Sequence, residues 1–149
     1  MTADEVKKLL GLAPHPREGG WYVRTYEAAE MVSLPRYDGP RRTGTAIYYL
    51  LERETFSEMH RLKSDEVFHF YAGDAVEMLQ LRDGHAGEMV VRHGVWQGSR
   101  LRAGGKWALL GCTVSPGFEF EDYEAGDRAE LMGLWPEFAE MIAELTRHP

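Results

Sequence analysis

FSEMHRLKSDEVFHFYAG, running from Phe56 to Gly73, is the stretch on which the fold of this chain turns. It reads as two short strands joined at Lys63, Ser64 and Asp65. Side chains on a strand alternate between its faces, so Glu58, His60 and Leu62 share one face of the first strand, and Glu66, Phe68 and Phe70 share one face of the second. If both faces line the same space, an imidazole and a carboxylate meet among phenylalanines. Gly73-Asp74 then turns the chain, and Val76, Met78 and Gln80 alternate with Glu77, Leu79 and Leu81 in a further extended segment.

Upstream, TGTAIYYLLE (Thr43 to Glu52) is an apolar and aromatic run that fits a strand buried on both sides. Trp21 to Tyr26 is dense in aromatic and β-branched residues and predicts another strand. Pro14 to Gly20, with two prolines and paired glycines, predicts an ordered loop leading into it. Glu27 to Arg42 has the composition of a long connection. At the start, Thr2 caps a short helix that Gly11 ends.

Downstream, Arg82 to Gly87 predicts a hairpin connection around Asp83-Gly84, after which Met89 to Val91 resumes the sheet. Turns at Gly94 to Gly98 and Gly104-Gly105 precede a strand from Lys106 to Ser115. Phe118 to Tyr123 alternates apolar with acidic as a half-exposed strand or loop does. From Asp127 the period becomes helical, with Leu131, Leu134, Trp135, Phe138, Met141, Ile142 and Leu145 at three- and four-residue steps and Pro136 in the first turn of a second helix. The pattern predicts a mainly β chain, a jelly-roll sandwich or barrel with short N-terminal and C-terminal helices, as one domain over residues 1–149.

Composition narrows the function. Seventeen Lys and Arg against 24 Asp and Glu give a net charge of −7, which repels nucleic acid and anionic lipid. Arg36, Arg41 and Arg42 form a modest basic cluster that reads as a solvated loop. The lone Cys112 excludes an internal disulfide and suits a reducing compartment. No apolar run approaches membrane-spanning length and Met1 to Leu12 is no signal peptide, so the expectation is a cytoplasmic protein with neither nucleic-acid nor membrane partners.

The spacing of His60, Glu66 and Gly73 resembles the first motif of the cupin superfamily, in which a strand carries His-x-His, a Glu follows, and a Gly closes the second strand. The second His of that motif is Leu62 here. Taken with HPREGGWYVRTY, TAIYYLL, GVWQGSRL and KWALLGCTVSPGFEFEDYE, nearly the whole chain is similar to the small cupin-5 branch, a domain of unknown function. The resemblance implies a double-stranded β-helix, a homodimer, and one pocket in each barrel. It implies no single reaction, because one fold hosts many chemistries. The histidine that the second cupin motif supplies is replaced by Gln97, after the turn Arg92-His93-Gly94.

These residues define a candidate site. His60 and Glu66 form a candidate acid–base pair, with Glu66 orienting the imidazole and Gln97 hydrogen-bonding a ligand. Phe68, Phe70 and Trp96 are either an aromatic wall for a planar ligand or core, and one of Tyr48 and Tyr49 faces inward. The bland alternative is that His60 and Glu66 only satisfy each other inside an apolar barrel. Loss of imidazoles at Leu62 and Gln97 argues against a firmly held cofactor, a weak divalent ion on His60, Glu66 and Gln97 being the alternative. Strand parity turns His69 outward, His15, His85, His93 and His148 are expected in solvent, and Cys112 is expected as a buried, inert thiol. The leading expectation is a protein that binds a small polar, carbohydrate-like molecule, with metal-independent isomerase or epimerase chemistry as its enzymatic form. A non-catalytic binding module and a weak-metal enzyme such as a dioxygenase are the alternatives.

Overall fold

The computed structural model describes residues 1–82 and 89–149. The turn expected at Asp83 to Gly87, with His85, lies outside the described residues. Thr2 caps α1 (Ala3–Leu10) in a reciprocal capping box with Glu5, and Gly11, at φ +67°, ends the helix in the left-handed conformation.

Twelve strands follow among the described residues: β1 (Ala13–Pro14), β2 (Trp21–Glu27), β3 (Met31–Val32), β4 (Arg41–Arg42), β5 (Thr45–Glu52), β6 (Phe56–Arg61), β7 (Asp65–Gly73), β8 (Val76–Leu81), β9 (Val90–Val91), β10 (Trp96–Leu101), β11 (Trp107–Ser115) and β12 (Glu124–Ala125). They form a six-stranded sheet in the order β1-β2-β5-β11-β7-β9 and a four-stranded sheet in the order β12-β6-β10-β8. The small β3–β4 ladder lies within the connection expected between Glu27 and Arg42. Consecutive strands cross between the two large sheets, as in a jelly roll, and hydrogen-bond ladders do not close them into a continuous barrel. The expected alternation in Phe118 to Tyr123 is broken by a 3₁₀ turn at Phe120–Asp122, which exposes Phe120 and buries Tyr123 and Asp122, the latter paired with Arg41.

Two larger cores and a small cluster of Leu62, Val114 and Tyr123 hold the layers among the described residues. Between the sheets, Tyr49, Leu51, Phe68, Leu101, Leu110 and Cys112 are buried together. On the other side of the small sheet, Met59, Leu79, Leu81 and Trp96 pack against Leu131 of α2 (Arg128–Leu134) and against Ile142 and Leu145, in and just after α3 (Ala139–Glu144). Each fully buried side chain of this size contributes roughly 1.5–3 kcal/mol. Asp127 caps α2, and Pro136 opens a 3₁₀ turn that leads into α3, so the helical period of the sequence becomes a two-helix lid over the small sheet.

Strict alternation fails in β6. Gln97 lies opposite His60 and Ser99 opposite Ser57, so Glu58 and Met59 together face the single residue Gly98. This bulge brings Ser57 onto the inward face with His60 and frees Met59 to join the helical core. Glycine opposite it leaves room for this packing, since a Cβ at Gly98 would come within 2.7 Å of the Met59 sulfur and 3.1 Å of the Ser57 carbonyl oxygen.

Candidate functional site

The strands nearest one end of the intersheet space carry its polar side chains. Glu66 enters from β7, and Ile47 and Thr45 from β5. Cys112 and Val114 enter from β11, and Tyr22 and Arg24 from β2. Leu62, Phe118 and the loop residues His15 and Glu18 complete a cavity of about 30 Å³ measured to the centre of a water molecule. That is room for about two waters or one small functional group.

The loop is built into the fold. Gly19 and Gly20 adopt positive φ, and a Cβ on either would meet the backbone of Phe56 or Leu50. Tyr49 Oη donates to the Gly19 carbonyl at 2.6 Å, Glu58 N–H donates to the Glu18 carbonyl at 2.9 Å, and Arg147 Nη1 donates to that same carbonyl at 2.9 Å. His15, expected in solvent, is therefore held in the wall with its side chain 4% exposed. Its Nδ1 accepts the N–H groups of Arg17 and Glu18, so the neutral ring carries its proton on Nε2, 3.7 Å from Glu18 Oε2. Burial pulls its pKa below the ordinary value.

Glu66 is buried, and its Oε2 accepts from Gln97 Nε2 at 3.4 Å. Removal from water, followed by the charge of Glu18, pushes its pKa up to about 8. Glu66 therefore holds a proton at neutral pH. Glu18 accepts a 2.5 Å hydrogen bond from Ser57 Oγ. Cys112 is buried in the same wall, and burial raises its thiol pKa.

His60 is 1% exposed and stands opposite Gln97 in the β6–β10 ladder. Its Nδ1–H donates to the Glu58 carbonyl at 2.6 Å, since a carbonyl only accepts, and its ring stacks on Tyr123 at 5.0 Å. Nε2 is buried without a hydrogen-bond partner. No hydrogen bond or ion pair joins His60 to Glu66, and His60 is not among the residues lining the cavity. The direct pair expected from the motif is thus replaced by two separate contacts, Glu66 with Gln97 and His60 with the Glu58 carbonyl. Beside them, Tyr123 Oη donates to Glu58 Oε1 at 2.8 Å and Arg147 to Glu58 Oε2 at 3.2 Å.

The expected aromatic wall divides. Phe68 is buried in the intersheet core, and Phe70, 51% exposed, borders a separate apolar groove with Met78 and Leu110. Trp96 points the opposite way, into the helical core, with Arg61 over its ring at 4.5 Å. It forms no part of the cavity because it neighbours Gln97 in the strand and so takes the other face. Tyr49 is the inward tyrosine, and Tyr48 lies on the outer face against Tyr71 at 5.9 Å. His69 is also outside, paired with Thr113 Oγ1 at 2.8 Å, and His93 pairs with Asp65 at the surface.

The donor set does not fit a tightly held metal. Leu62 has no donor, Gln97 is turned to Glu66, and among the described residues no three His, Cys, Asp or Glu side chains converge. Sequence reasoning missed His15, Glu18 and Ser57. The signal for the first two was the glycine pair itself, which holds the loop close to the sheet. Ser57 is brought in by the bulge, which no local pattern announces.

Comparison with known proteins agrees with this architecture. A hypothetical protein from Leishmania major is 31% identical over 99% of this chain and 100% of its own, with a TM-score of 0.87. A protein from Shewanella oneidensis solved by X-ray crystallography is 30% identical over 100% of this chain and 99% of its own, with a TM-score of 0.84. A cupin 2 conserved barrel domain protein from Rhodopseudomonas palustris, 16% identical over 91% of this chain and 98% of its own, shares the fold at a TM-score of 0.53. None of the curated proteins compared with the chain matches it. The model of the family described as Cupin superfamily (DUF985) matches residues 4–126, and the chain belongs to that family, cupin-5.

Proposed function

We propose that the cavity binds a small polar organic molecule and that the protein transfers protons on it without a metal, as an isomerase or epimerase does. Glu66, oriented by Gln97, and His60, through its unpartnered Nε2, serve as the acid–base pair. The observation that carries this reading is a buried Glu66 in the cavity wall, bonded to Gln97, with a buried imidazole opposite Gln97 whose Nε2 has no hydrogen-bond partner. Proton transfer at carbon requires groups placed to give and to take a proton.

A non-catalytic binding module is the second reading, favoured by the complete burial of His60, which is not among the lining residues. Thermal-shift screening of sugars, nucleotide sugars and small organic acids supplies a ligand, and His60→Asn separates the readings. The enzymatic reading expects turnover to fall on the order of 10²-fold with affinity kept within a few-fold. Full turnover by His60→Asn overturns the role of His60, and a parent protein that binds without turning anything over supports the binding module.

A further inference from the structure

The cavity walls offer acceptors, and the guanidinium that lines them, that of Arg24, is paired with Glu27. Glu18 is 8% exposed, and its carboxylate has one hydrogen bond, from Ser57. Its ion-pair contact among the described residues is with His15 at 3.7 Å, a ring whose pKa burial lowers. Arg147 spends its donors on the Glu18 and Phe56 carbonyls and on Glu58 rather than on the Glu18 carboxylate. Arg24, at the edge of the cavity, pairs with Glu27 at 2.8 Å. Glu66 has Gln97 and the Cys112 thiol beside its carboxyl group, and the buried His60 Nε2 has no hydrogen-bond partner. A buried carboxylate without a partner cation is costly, and a compact cation between Glu18 and Glu66 removes that cost.

We propose that the ligand group seated in this cavity is a small nitrogen cation, an ammonium or amidinium of a few heavy atoms, and that carboxylates and phosphates are excluded. The proposal rests on the reading of this cavity as a ligand site and specifies the charge of what fills it. Amino and amidino compounds thereby become the substrate class, the cationic nitrogen lying between Glu18 and Glu66. The charged and titratable groups lining that position are His15 and Glu18 from the loop, Tyr22 and Arg24 from β2, Glu66 from β7 and Cys112 from β11, with Arg17, Glu58, His60 and Tyr123 packed around them. Of these, Glu66 is the one that a cation beside it ionises near neutral pH. Binding therefore releases a proton, and affinity rises with pH until Glu66 is ionised in the free protein, near pH 8.

Acetamidinium, acetamide and acetate share one heavy-atom skeleton and carry charges of +1, 0 and −1, so they isolate charge from shape. Titration of the intact protein by calorimetry at pH 7, in two buffers of different ionisation heat, is expected to show acetamidinium binding on the order of tenfold or more tighter than acetamide, with proton release, and acetate not binding. Glu18→Gln is expected to erase the preference while leaving the melting temperature of the free protein unchanged or raised, because an unpaired buried charge is gone. Acetamide or acetate binding as well as acetamidinium overturns the cation assignment and leaves the cavity a ligand site. If none of the three binds but a neutral sugar does, with the binding lost in Leu62→Trp, the assignment falls and the site stands. Binding by no probe, with Glu18→Gln destabilised, overturns both.

Discussion

The two ends of the space between the sheets are built by the same strands and differ in chemistry. On β7, Glu66 faces a cavity of about 30 Å³, whereas Phe68 and Phe70, two and four residues on, border an apolar groove of about 460 Å³ with Val76, Met78 and Leu110. On β11 the change runs the same way, from Val114 and Cys112 to Leu110. Alternation sends all these side chains inward, but position along the strand selects the end. The polar end is closed by a loop, His15 to Gly20, that carries its own ionisable groups and is tied to the sheet by Tyr49, Glu58 and Arg147. Burial there perturbs protonation, while at the apolar end it contributes stability.

The sharpest test of that contrast is truncation at the apolar end. Phe68→Ala is expected to cost about 3–5 kcal/mol in urea unfolding, as a fully buried aromatic does. A loss below about 1 kcal/mol would show that the groove, and not the core, surrounds this ring.

Next in size is Tyr123→Phe at the polar end. It removes the hydroxyl that donates to buried Glu58 and keeps the ring stacked on His60, so a loss of about 1.5–3 kcal/mol is expected. An unchanged unfolding midpoint would mean that Arg147 alone satisfies Glu58.

The pH dependence of stability separates the ends directly. Folded Glu66 keeps its proton up to about 8, while an unfolded glutamate releases it near 4.5, so between these values the folded chain binds more protons. Its contribution is fully present below the unfolded value and is lost as pH rises through about 8. His15 acts in the opposite sense, since its lowered pKa makes stability rise with pH below about 6.5. Above neutrality Glu66 dominates, and unfolding free energy is expected to fall by up to about 1.4 kcal/mol per pH unit toward pH 8. Denaturant melts across this range check it, and Glu66→Gln should flatten the profile. A slope that persists in the variant would place its origin elsewhere.

The smallest effect belongs to Phe70. Being half exposed, it should lose less than about 1 kcal/mol on change to Ala, measured beside Phe68→Ala under the same conditions. Equal losses would make the two rings one core.

By itself the sequence determined the class of fold, since alternating short runs with glycine-bearing turns, a capped first helix and a helical period after Asp127 are local properties of the backbone and of apolar spacing. It also determined that Glu66 and Gln97 point inward, because both keep strand parity with their neighbours. Tertiary structure decided the rest of the site. Whether Tyr48 or Tyr49 enters depended on which face of β5 meets the opposite sheet, and Trp96 went to the helices because α2 and α3 cover the other side of β10. The bulge at Glu58 and Met59 changed which β6 residues accompany His60, an effect of pairing with Gly98 that β6 alone does not encode. His15 and Glu18 became cavity residues only when a loop far along the chain folded back, because burial, protonation and counter-charge depend on which groups meet across the fold.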